Sequence, residues 1–150
     1  LLMALHGSPI ANLFNRVQTR VSGCDVSCTS LANEVRGFAE NVTVRDVVST
    51  YIYANTLVVL EMTRPALKQY IERSAAYFDH DEDGNLCIAD EFLRPKVQHY
   101  NYDFFSGYDM LPRQKVAREV LTDVADAMID YITSHPNIRV DTEKYCTVIG

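Results

Sequence analysis

The twelve residues Asp79 to Asp90, DHDEDGNLCIAD, hold the side chains whose types and spacing point most directly to chemistry. Carboxylates stand at the first, third, fifth and twelfth places, a glycine at the sixth, and aliphatics at the eighth and tenth. A hard divalent cation takes several oxygen ligands, and a short loop wraps them around it only if alternate side chains turn inward. The chain must also bend sharply midway, which Gly84 permits because it has no Cβ to clash. Asp79, Asp81, Glu82 and Asp83 repel one another unless a cation or solvent neutralises them. A run of acids alone would be a solvated turn. Seven residue classes in register favour a metal loop over that plainer account.

The segment resembles the calcium loop of the EF-hand family, and Phe78, just before the first acid, sits where that family prefers an aromatic. The resemblance implies side-chain oxygens from Asp79, Asp81 and Asp83, a backbone carbonyl from Asn85, and a twelfth-position ligand from Asp90. Cys87 takes the ninth place, which often acts through water, and Leu86 takes the short β contact to a partner loop. Asp90 departs from the usual bidentate glutamate and is one methylene shorter, so magnesium competes with calcium as the implied ion. Glu91 can substitute if the loop bulges, while Pro95 would kink or end the exiting helix.

The remaining composition limits the classes. The chain has 150 residues, enough for one domain of ordinary size, and 47% of them are hydrophobic, so it should fold. A net charge of −6 without a basic patch argues against nucleic acid as a partner. No apolar run approaches the roughly 20 residues of a membrane span. The opening LLMAL is apolar but short, and the missing initiator methionine suits a fragment or a processed product. Cys24, Cys28, Cys87 and Cys146 lack the paired clusters of a structural zinc site, so reduced thiols and a cytoplasmic location are expected. His6, His80, His99 and His135 are scattered. No nucleophile–base pair or glycine-rich phosphate loop is visible, and no enzymatic activity is expected.

The elements positioning the acidic loop read as helices, and the expected class is all-α. Ile10, Leu13, Phe14 and Val17 recur at three- and four-residue spacing between Pro9 and Arg20, and Ser22-Gly23 breaks the pattern. A second helix is expected over Ser30–Glu40. The most buried one falls within Thr43–Leu60, where Val42–Val44 and Thr56–Leu60 also suit extended chain. Pro65 opens a helix to Phe78. Pro112 opens a long one in which Val116, Val120, Val124, Met128 and Ile132 repeat every four residues until Ser134-His135-Pro136.

Asn41–Asp46, Asn85–Asp90 and Asn137–Thr142 share an asparagine–aliphatic pattern, and Ser22–Asp25 and Ser106–Asp109 a second one. Read as repeats, they give a compact helical domain over 1–150 with EF-hand-like helix–loop–helix units. The metal loop lies in 66–100 and a degenerate partner unit in 112–150. The leading functional expectation is therefore a calcium-binding sensor, buffer or structurally metal-stabilised interaction module. In a sensor, the helices flanking the loop rotate on metal capture and expose Phe92 and Leu93 to an amphipathic helix of a target protein.

A rival expectation belongs to another class. Val35-Arg-Gly-Phe38-Ala39-Glu40 and Leu121-Thr-Asp-Val124-Ala125-Asp126 carry BH3-like spacing. The Val47–Leu60 stretch, with Tyr51 and Tyr53 inside it, resembles the central helix of a Bcl-2-type bundle. That resemblance implies a hydrophobic groove for an amphipathic BH3 helix. The chain has no tryptophan, so the asparagine-tryptophan-glycine-arginine signature is missing.

Overall fold

The computed structural model describes residues 7–29, 35, 37–89, 111 and 113–143. In chain order they form α1 (Pro9–Ser22), α2 (Val44–Thr50), β1 (Thr56–Glu61), α3 (Arg64–Ala75), β2 (Phe78–His80), β3 (Leu86–Ile88), β4 (Lys115–Asp123) and α4 (Val124–Ser134). β1 pairs with β4, and β2 with β3, in separate two-stranded sheets. The all-α expectation is therefore corrected to a mixed α and β fold. Contacts divide the chain into two compact units, one centred on 60–117 and the other combining 2–59 with 118–147.

The second unit holds the larger core. α1 begins where the Ala11 N–H donates to Ser8 Oγ (3.4 Å) and Pro9 supplies a preset φ in the first turn. It ends at Gly23, whose φ of 65° a side chain would strain, with the Gly23 N–H closing on the Thr19 carbonyl at 2.7 Å. Ile10, Phe14 and Val17 share one face and meet Val47 of α2, Tyr51 just after that helix, and Val124, Ala127 and Met128 of α4. α2 is short because its sequence, VRDVVST, is rich in β-branched residues that lose χ1 freedom in a helix. A reciprocal cap starts it: Thr43 N–H donates to Asp46 Oδ2 (2.8 Å), and Asp46 N–H donates to Thr43 Oγ1 (3.3 Å).

The helix expected within Thr43–Leu60 thus stops at Thr50, and the chain turns extended at Tyr51 (φ −115°, ψ 90°). Thr56–Glu61 becomes a strand. At one end of its pairing with β4, Lys115 Nζ donates to the Glu61 carboxylate at 3.0 and 3.1 Å. At the other, the Val124 N–H donates to the Asn55 carbonyl at 3.1 Å, so the two strands run antiparallel. The long helix expected from Pro112 is likewise corrected. Lys115–Asp123 is strand, and the helix begins only at Val124, where Asp123 caps it by accepting the Ala125 N–H at 2.7 Å. A spacing of four is also two strand repeats, so Val116, Val120 and Val124 fall on one side in either conformation.

These changes also remove the BH3-like helices. Leu121 and Thr122 lie on β4 and Val124–Asp126 on α4, so that motif is split between a strand and a helix. No helix covers 37–40, and the rest of Ser30–Glu40 falls outside the described residues except Val35, which is also non-helical. Asn41–Asp46, Asn85–Asp90 and Asn137–Thr142 take different conformations where described: a bend entering α2, β3, and irregular chain. Ser106–Asp109, Glu91, Phe92, Leu93 and Pro95 lie outside the described residues.

In the first unit, Thr63 Oγ1 accepts the Ala66 N–H at 3.4 Å and Pro65 stands in the opening turn of α3. This agrees with the start expected there, but α3 ends at Ala75 and Phe78 opens a strand. β2 and β3 form an antiparallel hairpin in register Phe78↔Ile88, Asp79↔Cys87 and His80↔Leu86. No helix among the described residues is long and apolar enough to cross a membrane.

Candidate functional site

The acidic segment is the tip of this hairpin. The Gly84 N–H donates to the Asp81 carbonyl at 2.9 Å, Gly84 takes a φ of 80°, and the Asp81 N–H donates to the Asn85 carbonyl at 2.9 Å. This is a hairpin turn closed through a glycine in left-handed conformation. Asp81 Oδ1 accepts the N–H groups of Asp83 (3.0 Å) and Asn85 (2.8 Å), and Oδ2 accepts from Asn85 Nδ2 (3.2 Å). The Asn85 backbone bond leads in holding the Asp81 carboxyl below the usual carboxylate range, followed by the Asn85 side chain. Asp79 Oδ1 accepts the His80 N–H at 2.8 Å. Asp79, Asp81, Asp83 and Asn85 are all exposed, and Asp90 lies outside the described residues. Among the described residues, no group of three or more His, Cys, Asp or Glu side chains is gathered as metal ligands would be. Cys24 and Cys28 are free thiols.

A different group of residues converges in the second unit, at the turn from α2 into β1. Tyr51 is buried with its ring 5.1 Å from that of Phe14 and tilted at 42°. Tyr53 stands edge-on to it, with centroids 5.8 Å apart at 84°. The Tyr51 hydroxyl donates to Asn55 Oδ1 at 2.9 Å. Burial raises the Tyr51 pKa above its ordinary value, and the nearby Asp123 charge adds to the rise, against the Asn55 hydrogen bond. The Asn55 carbonyl is tied to the first N–H of α4. Tyr53 and Asn55 are only half-buried. The corner thus offers an aromatic surface beside an amide on a braced backbone, which suits a flat ligand with polar edges.

A cavity of about 890 Å³ opens elsewhere in this unit, lined among others by Leu13, Phe38, Val42, Ile132 and Ile138. The Arg16–Asp141 ion pair stands on its lining, and Asn12 Nδ2 donates to the carbonyls of Asp141 (3.3 Å) and Glu143 (3.2 Å). Its lining mixes these apolar side chains with polar and charged ones, among them Glu40, Asn41, His135 and Arg139.

Sequence reasoning placed Tyr51 and Tyr53 inside a helix and passed over Asn55. The signal was present in Tyr51-Ile-Tyr53-Ala-Asn55, where polar-tipped residues recur at a spacing of two before the β-branched run Thr56-Leu-Val-Val59.

Comparison with known proteins adds a family. The profile described as "5'-nucleotidase, C-terminal domain" matches residues 3–141. The chain is also similar to a Staphylococcus aureus protein assigned as a 5'-nucleotidase and crystallised in complex with alpha-ketoglutarate. The two share 26% identity at a TM-score of 0.78, over 91% of this chain and 36% of that one. The chain therefore spans little more than a third of that relative. No curated protein matches it. These findings overturn the EF-hand resemblance and, with it, the calcium sensor or buffer. They equally overturn the Bcl-2-like module. The expectation of no enzymatic activity is corrected too, since the matching family and the structural relative are 5'-nucleotidases, an enzyme family.

Proposed function

Because the chain belongs to the 5'-nucleotidase C-terminal domain family, we propose that it holds the nucleoside part of a nucleoside 5'-monophosphate while the ester to phosphate is hydrolysed. The observation carrying this reading is the family match over residues 3–141. The corner at Tyr51–Asn55 supports it physically. Nucleobases are flat, have a π-face that stacks on aromatic side chains, and carry hydrogen-bonding edges that amides read. Tyr53 supplies the ring and Asn55 the amide.

The test uses the complete polypeptide carrying this chain. It releases phosphate from adenosine 5'-monophosphate and not from the 3'-isomer. Base stacking on an aromatic is worth about 1–3 kcal/mol, so Tyr53→Ala raises KM at least about fivefold and leaves kcat less affected. Absence of phosphate release from every nucleoside 5'-monophosphate would overturn the proposal.

A further inference from the structure

We infer that Tyr51 is a positioning residue: its hydroxyl fixes the Asn55 amide so that the NH2 group, not the carbonyl oxygen, is offered to the ligand. The corner then selects a ring bearing a hydrogen-bond acceptor at the contacted edge. This rests on the reading that Asn55 meets the nucleoside.

An asparagine amide is nearly symmetric in shape, so only its hydrogen bonds decide which end faces a ligand. Here one end is committed, because the Tyr51 O–H donates to Oδ1 at 2.9 Å. In a planar amide the NH2 group is then directed away from Tyr51. In the reverse orientation the NH2 would donate to the hydroxyl oxygen, and the O–H would lose its Asn55 acceptor. In this buried setting an unsatisfied hydroxyl proton is costly. Tyr51 keeps that proton at neutrality, since burial and the Asp123 charge both oppose ionisation. The ring cannot easily swing aside. It is 8% exposed, Phe14 packs 5.1 Å from it, and Tyr53 abuts it edge-on. The amide's own anchor is also held, since the Asn55 carbonyl accepts the Val124 N–H at 3.1 Å. Both ends of the lever are braced, so the donor is preset before ligand arrives. Purine ring nitrogens and base carbonyls present the matching acceptor; a ring edge presenting N–H does not.

The experiment measures KM and kcat of the complete polypeptide for adenosine 5'-monophosphate and its 1-deaza, 3-deaza and 7-deaza analogues, each lacking one ring acceptor. One analogue is expected to show a KM about fivefold higher than the parent, the effect of one lost hydrogen bond. Tyr51→Phe keeps the ring and removes only the hydroxyl. It should raise KM for the parent, remove most of the difference between parent and that analogue, and leave kcat within about twofold. Asn55→Asp retains the acceptor for Tyr51 but has no NH2, so it must lose the same discrimination even where Tyr51→Phe is poorly folded. If Asn55→Ala abolishes discrimination while folded Tyr51→Phe retains it in full, the positioning role is wrong and the nucleoside reading stands. If Asn55→Ala leaves KM and discrimination unchanged, the nucleoside reading fails at this corner, and the role of Tyr51 fails with it.

Discussion

Phe14 shows how a core residue and a binding residue come to depend on each other. Its side chain has no exposed surface, and its ring is the floor on which Tyr51 rests. Phe14→Ala removes the transfer energy of a full aromatic ring and leaves a cavity, together costing about 3–5 kcal/mol. Urea unfolding checks the figure, and a loss below about 1 kcal/mol would mean that the ring is not buried as described. Asp81 works at the opposite extreme, fully in solvent. Its carboxylate accepts three hydrogen bonds that favour the ionised form, so its pKa is lowered from 3.8 in the folded hairpin. A lowered folded pKa gives a contribution fully present above the unfolded value and lost as pH falls through the folded one. Exchange protection of the Asp83 and Asn85 amides should therefore hold from neutrality down to the ordinary carboxylate range and fade below pH 3.8. In Asp81→Asn that fading should disappear. An identical pH profile in the variant would assign it to another group.

Among the elements, the boundary at Asp123 decides most. The same residue ends β4 and caps α4 by accepting the Ala125 N–H at 2.7 Å. Asp123→Ala should cost about 1 kcal/mol in equilibrium unfolding, the usual value of an N-cap. A neutral result would mean that the helix start needs no cap there. Elements fixed by local chemistry were legible in the sequence. The Pro9 and Pro65 helix starts, the Gly23 stop and the end of α4 at Ser134 all appear as read, because capping residues and prolines act within a turn of where they stand. Elements fixed by a distant partner were not. Lys115–Asp123 carries a four-residue valine spacing that a helix and a strand both satisfy, and only pairing with β1 makes it a strand. The hairpin was misread for a related reason. Aspartate, glycine and asparagine build tight turns through the same side-chain-to-backbone bonds and left-handed glycine that calcium loops use. The Tyr51–Asn55 corner stayed hidden because three elements must meet before Phe14, Asn55 and Asp123 become its neighbours.

At the scale of the whole molecule, the net charge of −6 sets how a ligand carrying phosphate experiences this chain. The proposed contacts at Tyr53 and Asn55 are neutral, so they grip a nucleoside without help from charge. A net negative charge acts against an anionic ligand at long range. Adenosine binding should therefore be nearly insensitive to ionic strength. Adenosine 5'-monophosphate should bind more weakly than adenosine at about 0.01 M salt, where the Debye length is about 30 Å, and approach it at about 1 M, where charges are screened beyond about 3 Å. Calorimetric titration of both ligands at the two salt concentrations makes the comparison. Tighter nucleotide than nucleoside binding at low salt, weakening as salt rises, would mean that cationic side chains cradle the phosphate and outweigh the net charge. The measurement thus separates a domain that reads the base from one that also carries the phosphate, using the part of the ligand that the Tyr51–Asn55 corner does not touch.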